Sequence, residues 1–297
     1  MDLRGIWTDD NYVYAVFSDG IEFVDLLSEE VIATINYQGG FNGVCADDYK
    51  VYLATNSGIK YVNKSDILPT ISGTEIYDTL FQIYGNESSY LHYNNNHIMC
   101  CTNSGVNIIK QLDSNEVIYT QVSGSHKCFV AGNNRYYYTT NSGNVWALNR
   151  LEGDFYSWSV PSYVYLTSSG ILSPSSVIND TYVTTGTSYE GGWFNTIFVA
   201  TDIDVYAIDE GTESTKSIVG LFPSYSGSEF TSVWADDTAR YNRGKLYMVS
   251  KYAGIEKLSV VDLELNHITD YYTAVYTGNL GEVLKGTDVV DINVRGT

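Results

Sequence analysis

The sequence predicts an all-β chain, a β-propeller of six blades with four antiparallel strands each, and three observations predict it. The first is a recurring phrase: a pair of Asp or Asn, a Tyr/Val-rich strand, a second turn closing in Gly, and another apolar strand. It runs from Asp9-Asp10 to Gly20, from Asp47-Asp48 to Gly58, from Asn94-Asn95 to Gly105 and from Asn133-Asn134 to Gly143. Weaker copies begin at Asn179-Asp180 and Asp236-Asp237. Self-similarity at about 40–50 residues with several strands per unit is the mark of a propeller. The second observation is spacing. Gly20 and Gly105 are 85 residues apart, as are Gly58 and Gly143, so the true repeat is a pair of blades and the chain reads as three double-blade modules. The third is that no window sustains a helical period.

Each element follows from local chemistry. In the first blade the strands are expected at Leu3–Thr8, Tyr12–Ser18, Ile21–Leu26 and Val31–Tyr37. Blades stack face to face, so both faces are buried and the apolar runs are nearly continuous. Val, Ile, Tyr and Phe fill them, as a pleated packed surface prefers. The Asp/Asn/Gly clusters between them are turn chemistry, because these residues tolerate positive φ and hydrogen-bond their own backbone. The Tyr-rich segments Thr74–Tyr84, Ser162–Leu172 and Tyr271–Leu280 are expected as outer strands. Residues 1–297 form a single propeller domain on this reading, and 288–297 form a C-terminal closing strand. A seven-bladed ring with its last blade assembled from both termini is the alternative. So is a free edge docking another subunit.

Composition narrows the function. The chain has 16 Lys plus Arg against 35 Asp plus Glu, a formal charge of −19, and no basic stripe; a phosphate backbone would be repelled, so nucleic acid is not an expected partner. No apolar run suits a membrane span, and the start Met1-Asp2-Leu3-Arg4 has no secretory pattern. A virion or cytoplasmic location is expected. The turn carboxylates (Asp9, Asp10, Asp47, Asp48, Asp180, Asp236 and Asp237) would ring one end, but neighbouring blades spread them too widely for a hard cation, so no metal is expected.

Cys45, Cys100, Cys101 and Cys128 form no Cys-x-x-Cys pair and read as buried free thiols. Of four histidines, His92 alone aligns with innermost-strand positions, beside Trp7, Cys45, Val130, Val177 and Trp234, and is expected to be packed. No nucleophile elbow, zinc-protease motif or P-loop occurs. No catalytic residue and no cofactor are expected, and the protein is read as a non-enzyme.

The stretch from Asp9 to Leu26, with Tyr12-Val13-Tyr14-Ala15-Val16 and Phe23-Val24-Asp25-Leu26, resembles the LVIVD-type propeller repeat, and Val260-Val261-Asp262-Leu263 echoes it. The match weakens through the next three blades and is poor in the fifth. This resemblance implies the fold and a binding or surface role, with no catalytic residue to carry over. Thr140-Asn141-Ser142-Gly143-Asn144-Val145-Trp146 has the outline of a sialidase Asp-box, but it lacks the Asp, is one residue short and follows the wrong strand.

Departures from the repeat are where a rigid scaffold carries recognition. The fifth-blade insert Gly186–Asn195 raises Tyr189, Glu190 and Trp193; the sixth-blade segment Ala239–Gly244 carries Arg240, Tyr241 and Arg243. These six are the candidate ligand- or partner-binding residues. The 27 Tyr among 297 residues, with little Lys, is similar to the composition of phage virion parts. The expectation is a structural or protein-interaction module, such as a tail or capsid-associated component. It would bind protein partners or assemble with itself. Glycan or host-receptor binding through the fifth-blade loop is the first alternative, and a hydrolase or lyase at the channel mouth the second.

Overall fold

The structure, a computed structural model, describes residues 3–37, 39–67, 88–94, 97–102, 105–110, 116–121, 125–130, 136–140, 145–148, 163–165, 177–185, 195–209, 214–236, 239–240, 243–253, 255–265 and 267–274. The first sheet is β1 (Leu3–Thr8), β2 (Tyr12–Phe17), β3 (Gly20–Asp25) and β4 (Val31–Asn36). The second is β5 (Phe41–Ala46), β6 (Lys50–Thr55) and β7 (Gly58–Asn63), followed by the single turn of α1 (Lys64–Ile67). The third is β8 (Ser88–Asn94), β9 (His97–Thr102), β10 (Gly105–Lys110) and β11 (Glu116–Gln121). The fourth is β12 (Ser125–Val130), β13 (Tyr136–Thr140), β14 (Val145–Leu148) and β15 (Tyr163–Tyr165). In the fifth, β16 (Ile178–Thr184), β17 (Thr196–Thr201), β18 (Val205–Asp209) and β19 (Ser214–Ser217) lead into α2 (Ile218–Leu221). A 3-10 turn, Pro223–Tyr225, then reaches the sixth: β20 (Glu229–Ala235), β21 (Lys245–Tyr252), β22 (Ile255–Asp262) and β23 (His267–Ala274).

Strand order within every sheet follows the chain. The first-blade strands lie where the residue pattern puts them, to within a residue at each end. The second sheet has three described strands; the outer strand expected over Thr74–Tyr84 lies outside the described residues, as do 288–297. Of the other two expected outer segments, Tyr163–Tyr165 and the part of Tyr271–Leu280 up to Ala274 are strand.

The recurring phrase has a physical cause. Asp9 Oδ1 accepts the backbone N–H groups of Asn11 at 2.8 Å and Tyr12 at 2.9 Å, closing the first turn, while its Oδ2 accepts the Tyr14 hydroxyl. Asp47 repeats the device with Tyr49, Lys50 and the Tyr52 hydroxyl at 2.7, 2.6 and 2.7 Å. At the second turn Thr55 and Thr102 donate their hydroxyls to the carbonyls of Gly58 and Gly105, at 2.8 and 2.9 Å. At the third, Asp25 Oδ1 accepts from Leu27 and Ser28, and Asp262 Oδ1 from Glu264 and Leu265. Every one of these carboxylates is a turn fastener.

The first strands share a further device. Their pairing with the second strand slips at one residue: between Leu3 and Gly5, Phe41 and Gly43, Ser88 and Tyr90, Ile178 and Asp180, and Phe230 and Ser232. The extra residue of such a bulge is released from the ladder and re-aimed. Asn42 uses it to donate to the Ser88 carbonyl of the next sheet at 3.0 Å, and Asn179 to donate to Phe230 at 2.9 Å.

This register corrects the fifth repeat. Asn179-Asp180, expected as the opening turn, lies inside β16, because Asp180 is buried and spoken for. Its Oδ1 accepts from Thr181 at 2.8 Å, and its Oδ2 accepts the Ser232 hydroxyl at 2.7 Å and the Val233 N–H at 2.9 Å. Asp180 therefore does not join the turn carboxylates at the sheet end. The turn to β17 comes after Thr184, where the insert containing Tyr189, Glu190 and Trp193 falls, outside the described residues.

The chain divides into two compact units: Met1–Val130 with Tyr136–Thr140 and Leu148–Ser162, and Ala131–Arg135 with Asn141–Ala147 and Tyr163–Thr297. Within the first, β1 lies against β5, β5 against β8, and β8 against β12. A Cβ on Gly43 would stand 3.3 Å from the Tyr90 Cα, a crowding that glycine avoids. The core runs between the sheets, with Val16, Ile21, Phe41, Val51 and Leu53 in one layer and Tyr52, Ile59, Leu91, Ile98 and Cys100 in the next. Within the second unit β16 lies beside β20 and runs the same way. Asn179 meets Phe230, Asp180 meets Val233, and Thr184 donates its hydroxyl to Ala239 at 2.7 Å. Phe198, Phe230, Val233, Leu246 and Met248 fill the layer between them.

Candidate functional site

Three places carry chemistry. The first is along the first strands. The residue opposite the third position of each second strand is Trp7, Cys45, His92, Cys128, Tyr182 and Trp234 in turn. Cys128 and Tyr182 thus replace Val130 and Val177 of the repeat alignment, because five residues separate β12 from β13, against three between β1 and β2, and because Asn179-Asp180 lies inside β16 and not at its turn. In the first unit His92 meets the edge of Trp7 at 5.4 Å between centroids and lies 3.9 Å from the Phe129 ring. Burial pushes its pKa down to about 3, so the imidazole is neutral. This is the packed histidine that the sequence led us to expect.

The thiols belong to the same region. Cys45 and Cys100 share one buried layer, and Cys101 and Cys128 share a hydrogen bond. All four are free and buried, and burial pushes Cys45, Cys100 and Cys128 upward, so these three are held as thiols, the unreactive form. Among the described residues no group of three or more His, Cys, Asp or Glu is placed to hold a metal ion. No helix among them is long and apolar enough to cross a membrane.

The second place is the turn-bearing end of the first two sheets. Leu27 is 96% exposed on the β3–β4 turn, and Tyr49 is 77% exposed on the β5–β6 turn. A continuous set of contacts joins them. The Leu26 N–H donates to the Asn11 carbonyl at 2.9 Å, and Asn11 closes on Asp9. Asp9 is bridged by the Lys64 ammonium, and the Lys64 N–H donates to the Tyr49 carbonyl at 2.8 Å. Burial opposes charge on Asp9, but Lys64, the Tyr14 hydroxyl and the two turn N–H groups outweigh it and hold the carboxyl below its usual range. Leu26 and Val31, near Leu27 in the chain, are also exposed, and the same three turns carry the exposed carboxylates Asp10, Glu29, Glu30 and Asp48.

The third place lies in the second unit. A cavity of about 590 Å³ opens where the chain enters β20, walled by Ser224, Ser226, Ser228, Ser250, Tyr252 and Lys257. Tyr225 forms its floor. That ring is buried, stacks on Phe230 at 6.4 Å, and has its hydroxyl 2.7 Å from Ser259.

Of the sequence candidates, Arg240 and Arg243 are described and Tyr189, Glu190, Trp193 and Tyr241 are not. Arg240 and Arg243 pair through their backbones, at 2.8 and 3.2 Å, ending a tight hairpin between β20 and β21. Gly244 holds φ +83° there, with Ala239 too close for a Cβ. The Arg240 guanidinium donates to the Ala239 carbonyl at 2.6 Å, tying the arginine to its own loop. The Leu27–Tyr49 end and the Tyr252 cavity were missed. Ser224-Tyr225-Ser226-Gly227-Ser228 was a visible Ser/Tyr signal, but its partner hairpin is 25 residues away.

No family model matches the chain, and no curated protein does. Solved structures do. The β-propeller domain of Cps50 (Swd1) from Myceliophteria thermophila is similar with a TM-score of 0.59 at 11% identity, over 85% of this chain and 80% of that one. A chain of the mitotic checkpoint complex gives 0.62 at 12% identity, over 98% and 79%. Hsv2 of Kluyveromyces lactis gives 0.56 at 9% identity, over 88% and 74%. At such identities the likeness is one of fold: the sheets are those of a β-propeller-type chain.

Proposed function

We propose that this protein is a non-enzymatic binding module that recognises a protein partner through the turn-bearing end of its first two sheets. The observation that carries the reading is Leu27 and Tyr49, both almost bare, on turns locked together through Asp9 and Lys64. Turns so fastened leave little backbone to order on binding, so that cost is confined to the side chains, which favours association. Apolar side chains on the same turns as Asp10, Glu29, Glu30 and Asp48 suit a partner with an apolar contact and a basic surround. Among the described residues, His92 is enclosed by Trp7 and Phe129, and three of the four thiols are held protonated by burial, so none of these four is poised for catalysis.

Photo-crosslinking tests this in the source cells. A photoreactive residue at position 27 or 49 is expected to capture one common protein, and one at exposed Leu265 is not. Different products from positions 27 and 49, or none, would count against the reading.

We further infer that the six sheets are six blades of one ring, closed by 288–297. The 85-residue double repeat and the side-by-side first strands within each unit support it.

A further inference from the structure

We propose that the cavity beside Tyr252 is a carbohydrate-binding site, independent of the protein-binding end. Its volume, about 590 Å³, falls in the range of small-ligand sites, roughly 300–1,000 Å³. The lining is the chemistry a sugar needs. Tyr252 is 60% exposed at the end of β21, an aromatic face on which the C–H side of a pyranose can lie. Ser224, Ser226, Ser228 and Ser250 line the cavity with it, beside Ile255. Each hydroxyl both donates and accepts, which matches the dual character of sugar hydroxyls and suits no single-sign ligand.

The site is built before any ligand arrives. Gly227 has φ +84°, and a Cβ there would stand 3.5 Å from the Tyr252 ring, so the turn carrying the serines passes close against this aromatic. Ser228 and Ser250 are themselves nearly buried, so these two residues are held in place by the packing around them. Lys257 Nζ sits 5.8 Å from the centroid of the Tyr225 ring, held over a floor that is itself locked by Phe230 and Ser259. In a chain of charge −19 the lining residues include no carboxylate and one cation. A neutral saccharide is accommodated by the hydroxyls, and a terminal uronic acid would gain Lys257. A phosphorylated ligand would call for several cations, and a peptide would call for free backbone groups or a deeper apolar slot.

The test uses the full chain on an array carrying neutral hexose and N-acetylhexosamine oligosaccharides and their uronic-acid-capped counterparts. Titration calorimetry with the best-bound glycan follows. Wild type is expected to retain at least one glycan, and Tyr252→Ala to weaken it about ten-fold at unchanged melting temperature. Lys257→Met is expected to remove any preference for the capped form, and Tyr49→Ala to leave binding as it was. No retained glycan, equal binding by Tyr252→Ala, or equal weakening by Tyr49→Ala would overturn the proposal. None of these outcomes bears on partner capture at Leu27 and Tyr49.

Discussion

His92 shows how far a single side chain can be read. Its place in an innermost strand was legible from the repeat, and so was its packed character. What it packs on, Trp7 and Phe129, comes from strands far apart in sequence and was not. Its depressed pKa has a measurable consequence. An unfolded histidine titrates near 6.5, whereas the folded one does so at about 3, so between these values the unfolded chain binds one more proton. Stability contributed by the neutral ring is complete above about pH 6.5 and declines as pH falls towards 3, by up to about 1.4 kcal/mol per pH unit. Asp9 acts in the same sense at lower pH, since its depressed carboxyl loses its contribution as pH falls below the ordinary carboxylate range. Urea midpoints between pH 6.5 and 4 are expected to fall less steeply in His92→Phe than in wild type. Equal slopes would show that His92 titrates normally in the folded protein.

At the scale of the element, the turn chemistry was written in the sequence and the bulges were not. Asp9 and Asp47 announce their turns because each is followed at the fifth position by the tyrosine it accepts from. Asn179-Asp180 has the paired Asn/Asp but Thr184 and Thr185 where the tyrosine would stand, and a different role: a carboxylate placed in β16 to satisfy Ser232 and Val233 across the sheet boundary. The missing tyrosine was the visible sign; the donors, Ser232 and Val233, come from the next sheet and left none. The bulge in the first strands shapes the close packing at Gly43, where a Cβ would meet the neighbouring backbone at 3.3 Å. Gly43→Ala is expected to cost about 1–3 kcal/mol of unfolding free energy, through crowding against Tyr90. A chemical denaturation curve superimposable on wild type would show that β5 and β8 can part without penalty.

For the whole molecule, the repeat gave the all-β class and the propeller-type sheets, which the likeness to solved propeller structures supports. Recognition was harder to read. Sequence reasoning looked to the insertions, because they break the repeat. Tyr189, Glu190, Trp193 and Tyr241 of those insertions lie outside the described residues; among the described residues, Leu27 and Tyr49 are exposed on ordinary repeat turns and Tyr252 on an ordinary hairpin. Exposure is a product of the packing around a residue, and a Leu in a regular turn carries no mark of it. The proposed ring closure by 288–297 makes its own prediction: deleting these residues should lower the melting temperature by several degrees and broaden the transition. An unchanged cooperative transition would mean that they do not close the structure.

The most direct test of the binding role is the affinity of the purified partner, once captured, for wild type and for the double variant Leu27→Asp/Tyr49→Asp. The account predicts at least a ten-fold loss of affinity in the variant, with an unchanged melting temperature, and weaker wild-type binding as salt screens the exposed carboxylates of these turns. Undiminished affinity in the folded variant would contradict it.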